Sequence, residues 1–297
     1  MKKIIKSLIT AILSVCLLLS CGIFTSCGNS EKTIKVCASQ IPHAEVLNEC
    51  VKDLLAKDGW KLEVKVLDWT LQNEAVASGD YDANYFQHVP YLNTYTGKTE
   101  LFASCKVHYE PLGIYYGKAT VGTPVTAGTT FAICDDASNA IRAFNLLEAK
   151  GVISKTVEGD NYPVKIGENG EEQLNITKGK TEWENKAKTL KISLISEELL
   201  VSSLADYDFA CLPCNTAYTG RVDSSKRAAV EDNADEVSGK ANIIAARKAD
   251  YANDATYKAK IDALTNAMLS KEVSDYFAQK YLGSMTCDST TQIDLRK

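Results

Sequence analysis

Histidine is the scarcest of the chemistry-bearing residues: the 297-residue chain has three, His43, His88 and His108, and no two share the short spacing of a His-x-x-x-His pair. They are the right ligand type for zinc, so a zinc-binding protein stands as an alternative with no motif behind it. A His-Glu-x-x-His sequence, a nucleophile elbow and a Walker loop are also missing, and no pair of carboxylates stands out, which leaves catalysis little to rest on. A binding protein rather than an enzyme is expected. Basic charge is in short supply as well, with 33 Lys and Arg against 38 Asp and Glu and a net charge of −5. The first 26 residues carry Lys2, Lys3 and Lys6 and no acid, so the remainder is three charges more negative, at −8. That sign argues against nucleic acid as a partner. No long repeat or low-complexity tract occurs. What is present, 45% hydrophobic and 24% charged residues over this length, suffices for two lobes with a sizeable core.

Leu8 to Leu19 is apolar but too short to span a bilayer comfortably, and with the basic residues before it reads as an export signal. Leu18-Leu19-Ser20-Cys21 and Phe24-Thr25-Ser26-Cys27 each resemble a bacterial lipobox, at whose cysteine a lipid is attached. Leucine three places before Cys21 favours that site, whereas the polar run Gly28 to Lys32 favours Cys27. Cys27 is the expected anchor, with Cys21 the alternative, so residues 1–26 form the leader and 27–32 a tether. Seven cysteines follow, an odd number that cannot all pair internally. Cys37, Cys134 and Cys211 lie in strand-like apolar runs, where a free thiol is a small hydrophobe. Cys211-Leu-Pro-Cys214 has redox spacing, but no evident helix start follows to lower a thiol pKa.

Thr33 to Ser39 alternates as a strand, His43 to Lys57 has helical spacing with Gly59 as its stop, and Leu62 to Val66 alternates again. A strand, helix and strand of this size form a parallel crossover unit, the start of an open α/β sheet. Another short helix leads to Gly79, and the run from Leu101 to Tyr116 is strand-like. Gly117 to Gly128 has the composition of a passage between lobes. The second lobe restarts at Thr130 to Cys134, followed by a helix capped by Ser138 and stopped at Gly151. Val157 to Lys188 reads as a polar surface excursion. Strands over Lys191 to Ile195 and Tyr207 to Leu212 enclose a helix over Glu197 to Leu204. Ala241 to Ala246 then returns the chain to the first lobe, and two amphipathic helices follow. The expected lobes are therefore 33–117 with 241–297, and 118–240.

Asp80 to Tyr91, D-Y-D-A-N-Y-F-Q-H-V-P-Y, concentrates aromatic rings beside a histidine, an amide and a proline, and Phe86, Gln87 and His88 are expected on a loop. Such rings suit a small, partly apolar ligand, although core packing explains them equally well. Arg142 falls near the start of its helix, where the dipole disfavours a cation. A bound carboxylate would account for it, as would a nearby acid. Asn215 lies past the carboxyl end of a buried strand, where ligands of open α/β sheets bind.

D-A-N-Y-F-Q-H-V-P-Y-L, with P-H-A-E at Pro42 to Glu45, V-H-Y-E-P-L-G-I-Y at Val107 to Tyr115 and A-N-I-I at Ala241 to Ile244, resembles the NlpA/MetQ family. These are lipid-anchored substrate-binding proteins of methionine ABC importers. The resemblance implies an α/β, two-lobed periplasmic-binding-protein (type II) fold, each lobe an open, mostly parallel sheet flanked by helices. It also implies a methionine ligand, permease and ATPase partners, no cofactor or metal, and a place on the extracytoplasmic face of the membrane. Phe86, His88 and Tyr91 inherit the walls of the side-chain pocket. Arg142, in a Ser-Asn-Ala-Ile-Arg segment that includes Asn139, inherits the ligand carboxylate, and Asn215 and Asn242 the head group. Trp69 and Asn73, on the helix before the aromatic stretch, complete the candidate set. The sequence departs from the family pattern at Gln72, Trp69, Pro213 to Tyr218 and the long Val157 to Lys188 segment. L-Methionine leads, with D-methionine, a methionine dipeptide or another apolar amino acid behind.

Overall fold

The computed structural model describes residues 32–153, 163–167, 172–175, 182–185 (backbone only), 190–232, 239–281 and 284–296. The leader, Cys21, Cys27 and the tether up to residue 31 lie outside the described residues. Strand β1 (Thr33–Ala38) enters a helical run of three contiguous parts ending in α1 (Lys52–Lys57), and β2 (Lys61–Val66) pairs parallel to β1. Gly59 sits at φ +77°, a conformation that suits glycine as the helix stop. Helix α2 (Trp69–Ala77), capped by Asp68, precedes β3 (Ala83–His88), the one-turn α3 (Val89–Leu92) and β4 (Leu101–His108).

The chain then changes sheet. β5 (Leu112–Tyr116) joins the second sheet with β6 (Thr130–Cys134), β9 (Glu182–Asn185), β10 (Leu190–Ile195), β11 (Phe209–Pro213) and β12 (Arg227–Val230). Between them lie α4 (Ala137–Ala149), a hairpin of β7 (Val164–Ile166) and β8 (Glu172–Leu174), α5 (Glu197–Leu200) and α6 (Cys214–Thr219). β13 (Asn242–Arg247) returns to the first sheet, followed by α7 (Lys248–Asn253), α8 (Ala255–Met268), α9 (Lys271–Tyr281) and the edge strand β14 (Ile293–Asp294). The first sheet runs β14-β4-β13-β3-β1-β2 and the second β12-β5-β11-β6-β10-β9.

Three expectations are corrected here. The first crossing comes before β5, at Tyr109 to Pro111, and not after Gly117, because β5 pairs antiparallel with β11 and β12. Each sheet is mixed, with parallel pairs only around β1 in the first and β6 in the second. The Val157 to Lys188 segment is not all surface excursion, since β9 extends the second sheet beside β10.

Two helix-covered cores hold the lobes. In the first, Val36, Leu47, Leu55 and Tyr85 pack with Ile261, Phe277 and Tyr281; in the second, Phe131, Ile133, Phe144, Leu147 and Ile192 do the same. Each such side chain contributes about 1.5–3 kcal/mol when fully buried, so the strand ends that carry polar residues are fixed by apolar packing beneath them. All seven described cysteines are free. Cys214 opens α6, where no helix start was expected, yet burial pushes its thiol up and does the same to Cys211, so neither has the low pKa of a redox motif. No helix among the described residues is long and apolar enough to cross a membrane.

Candidate functional site

The aromatic stretch is a central strand, not a loop. β3 lies between β1 and β13, and its alternation breaks once: Ile243 faces Gln87 and Ile244 faces Tyr85, leaving Phe86 as the extra residue of a β-bulge. Tyr85 therefore points into the core, while Asn84 and Gln87 share the opposite side, where both bond Asn73 of α2. The bulge turns Phe86 out into a chamber between the two sheets, with about 530 Å³ of free space including its mouth. Asn73 does not line it. Its amide bridges Asn84 and Gln87 at 2.6–3.0 Å behind the wall, a supporting position and not a ligand contact.

His88 ends β3 and caps α3, its Nδ1 accepting the Tyr91 N–H at 3.2 Å. The ring proton therefore sits on Nε2, which meets Asn139 Oδ1 of α4 at 3.3 Å across the lobes. Burial and the nearby Arg142 bring the His88 pKa down to about 4, so the ring is neutral at physiological pH. Tyr91 stands edge-on to both Phe86 and Trp69, with centroids 5.7 and 5.2 Å away. The three rings and His88 form the first-lobe wall of the chamber.

Opposite stands Arg142. It lies in the second turn of α4, because Asp136 and not Ser138 caps the helix, so the helix dipole does not account for it. Arg142 is 4% exposed and forms a fork with Glu231, its Nε 2.8 and 2.9 Å from the two carboxylate oxygens and Nη2 2.5 Å from one. Nη2 also donates to the Glu110 carbonyl. Glu231 further accepts from Tyr109 Oη and the Leu112 N–H. Burial would raise its pKa, but Arg142 and Lys240 hold it at about 2. Both readings of Arg142 thus meet: it pairs with an acid and it faces the chamber.

Asn242, first residue of β13, sits opposite His88 on one side and His108 on the other. Its Oδ1 meets His43 Nε2 at 3.1 Å. His108 Nε2 lies 2.8 Å from Glu110 Oε1, and its Nδ1 meets Tyr85 Oη. The three histidines do not converge, since His88 is engaged elsewhere. His43, His108 and Glu110 do place one ligand atom each within 4.8 Å of one another, as do Cys134, Asp136 and Glu197, so these two groups could hold a metal. Burial lowers the His43 and His108 pKa values to about 4 and 3 and raises that of Glu110 to about 7. Asn215, in the first turn of α6, closes the second-lobe side with Pro213 and Glu197.

Trp69, Phe86, His88, Tyr91, Asn139, Arg142, Asn215 and Asn242 are thus gathered around one space, and Asn73 supports it from behind. Reasoning from sequence missed Glu110 and Glu197 as lining residues. Glu110 could have been found as the lone acid between buried strand residues in Val-His-Tyr-Glu-Pro-Leu. Glu197 carried no such signal, because an acid in the first turn of a helix is commonplace.

The Bacillus subtilis methionine-binding lipoprotein MetQ is 30% identical over 285 residues, covering 92% of this chain and 96% of the relative. The Escherichia coli D-methionine-binding lipoprotein MetQ is 30% identical over 204 residues, 66% of this chain and 69% of the relative. Among solved structures, a nutrient binding protein from Burkholderia cenocepacia bound to methionine superposes with a TM-score of 0.71 at 28% identity, over 86% of this chain and 99% of the other. The model of the NlpA lipoprotein family matches residues 34–287, from the first strand to the last buried cysteine, and the chain belongs to that family.

Proposed function

We propose that this protein is the lipid-anchored, extracytoplasmic substrate-binding component of an ABC importer, that it takes methionine between its lobes, and that it delivers the ligand to a membrane permease. The observation that carries this reading is the lining of one chamber, which joins Arg142, Asn139, Asn242 and Glu110 with the rings of Phe86, Tyr91 and Trp69. The guanidinium edge suits a carboxylate. The Glu110 carboxylate, held by Asn242 and the two buried histidines, suits an α-ammonium. A thioether gains contacts with ring edges on the order of 1 kcal/mol. Lobe 1 comprises the strands before Tyr109 with residues 241–296, and lobe 2 the stretch between. A ligand touching Arg142 and the β3 rings together stabilises the closed arrangement, which the permease then distinguishes from the open one. Cys27, or Cys21 in its place, carries the lipid.

The names of the relatives support methionine, and L-methionine is the first ligand to test against D-methionine and other apolar amino acids. Calorimetry on the chain lacking residues 1–26, with those amino acids and with zinc in separate titrations, decides the matter. Saturable, stoichiometric binding of a methionine enantiomer is the expected result. Zinc binding without amino-acid binding would overturn the reading.

A further inference from the structure

Glu197 is out of place in a chamber built for a thioether. It is the first residue of α5, lines the chamber with Trp69, Phe86 and Tyr91, and accepts a hydrogen bond from Thr216 Oγ1 at 2.7 Å. Among the described residues it forms no ion pair, and the charges that act on it most strongly, those of Asp136, Glu110 and Glu198, are of its own sign. An apolar tail gains nothing from a half-buried carboxylate, and the carboxylate loses hydration to face it. The rings beside it have another use. Trp69 and Phe86 each meet Tyr91 steeply, at 62° and 77°, in one ring cluster, and the face of an aromatic ring can receive a cation. Trp69 is held in this cluster by its Nε1–H, which donates to Glu198 on α5.

We propose that Glu197 makes this cleft selective for ligands that carry a positive charge in addition to their α-amino-acid head group, the charge lying between the aromatic rings and the carboxylate. This rests on the amino-acid-binding reading above and specifies its ligand class: a methionine-like amino acid whose tail is an onium, as in a sulfonium. The chamber continues past Glu197 into a groove bordered by Asp68 and Glu198, and the two spaces share Ser39, Trp69, Glu197 and Asn215.

The test is calorimetry of the chain without residues 1–26 and of its Glu197→Gln and Glu197→Ala variants, with L-methionine, S-methyl-L-methionine and glycyl-L-methionine. Thermal unfolding of each variant without ligand checks that it folds. The wild type should bind S-methyl-L-methionine at least tenfold more tightly than L-methionine, and both variants should reduce that ratio at least tenfold. A preference for glycyl-L-methionine, whose single ammonium is displaced from the α position and adds no charge, overturns the onium assignment. A wild type that prefers L-methionine, whose tail is uncharged, or a ratio unmoved by both substitutions, overturns the inference and leaves the amino-acid reading intact. Binding of none of the three ligands overturns both.

Discussion

Replacing Arg142 with methionine keeps most of the side-chain volume and removes the charge that Glu231 is built around. Glu231 is 7% exposed, and its carboxyl is held at about 2 against an ordinary value of 4.5. A carboxylate held low in the fold contributes stability above its unfolded value, and that contribution is lost as pH falls through the folded one. The difference corresponds to roughly 3 kcal/mol at neutral pH, in line with the about 3–5 kcal/mol cost of stripping one partner from a buried pair. Urea denaturation without ligand should therefore show Arg142→Met destabilised by about 3 kcal/mol at pH 7. Between pH 5 and pH 2 the wild type should lose this advantage, so that the two stability curves converge. Methionine affinity should also fall, by about 2–5 kcal/mol, because the ligand carboxylate loses its cation in a desolvated site. Equal denaturation midpoints at pH 7 would refute the argument that this pair is structural. Equal affinities would refute the assignment of Arg142 to the ligand.

Methionine affinity should rise between pH 6 and pH 8, because burial holds the Glu110 carboxyl at about 7 and only its ionised form attracts the α-ammonium; Glu110→Gln should weaken binding and flatten that profile in a calorimetric pH series. Asn73→Ala should lower stability by about 1–3 kcal/mol by orphaning the buried amides of Asn84 and Gln87, with ligand affinity following only as far as the β3 bulge shifts; an unchanged melting temperature would contradict the supporting role. Trp69→Phe keeps a ring at the mouth but removes the donor to Glu198, so stopped-flow dissociation of bound methionine should accelerate several-fold, and an unaltered rate would mean that this contact does not hold the lobes together.

Much of the architecture was legible because local patterning and tertiary packing agree. β1, β2, β6, β10 and β13 fall where alternation or short apolar runs place them, and Gly59 and Gly151 end their helices with positive φ. β3 was not legible as a strand. Tyr85 to His88 lack the period of two, because a bulge inserts Phe86, and polar Asn84 and Gln87 are buried through an amide network that no single-residue preference reveals. The sheet change before β5 was hidden for a related reason. Val107 to Tyr116 reads as one strand-like run, and only the pairing of Leu112 to Tyr116 with β11 separates it from β4. Of the site, the residues in recognisable runs, Phe86 to Tyr91 with Arg142 and Asn242, could be located in advance. Their partners could not: Glu231 is 89 positions from Arg142, and only the folded chain brings them together.

β13 lies in the middle of the first sheet, between β3 and β4, and arrives from the far end of the sequence. During synthesis from the amino terminus, the second sheet can assemble from an uninterrupted stretch, whereas the first keeps an open seam until residue 247 has emerged. Asn242 starts the strand that closes that seam. The ligand cleft is thus among the last parts of the molecule to be finished, and a chain cut short before this strand would have one lobe and nothing for it to close upon.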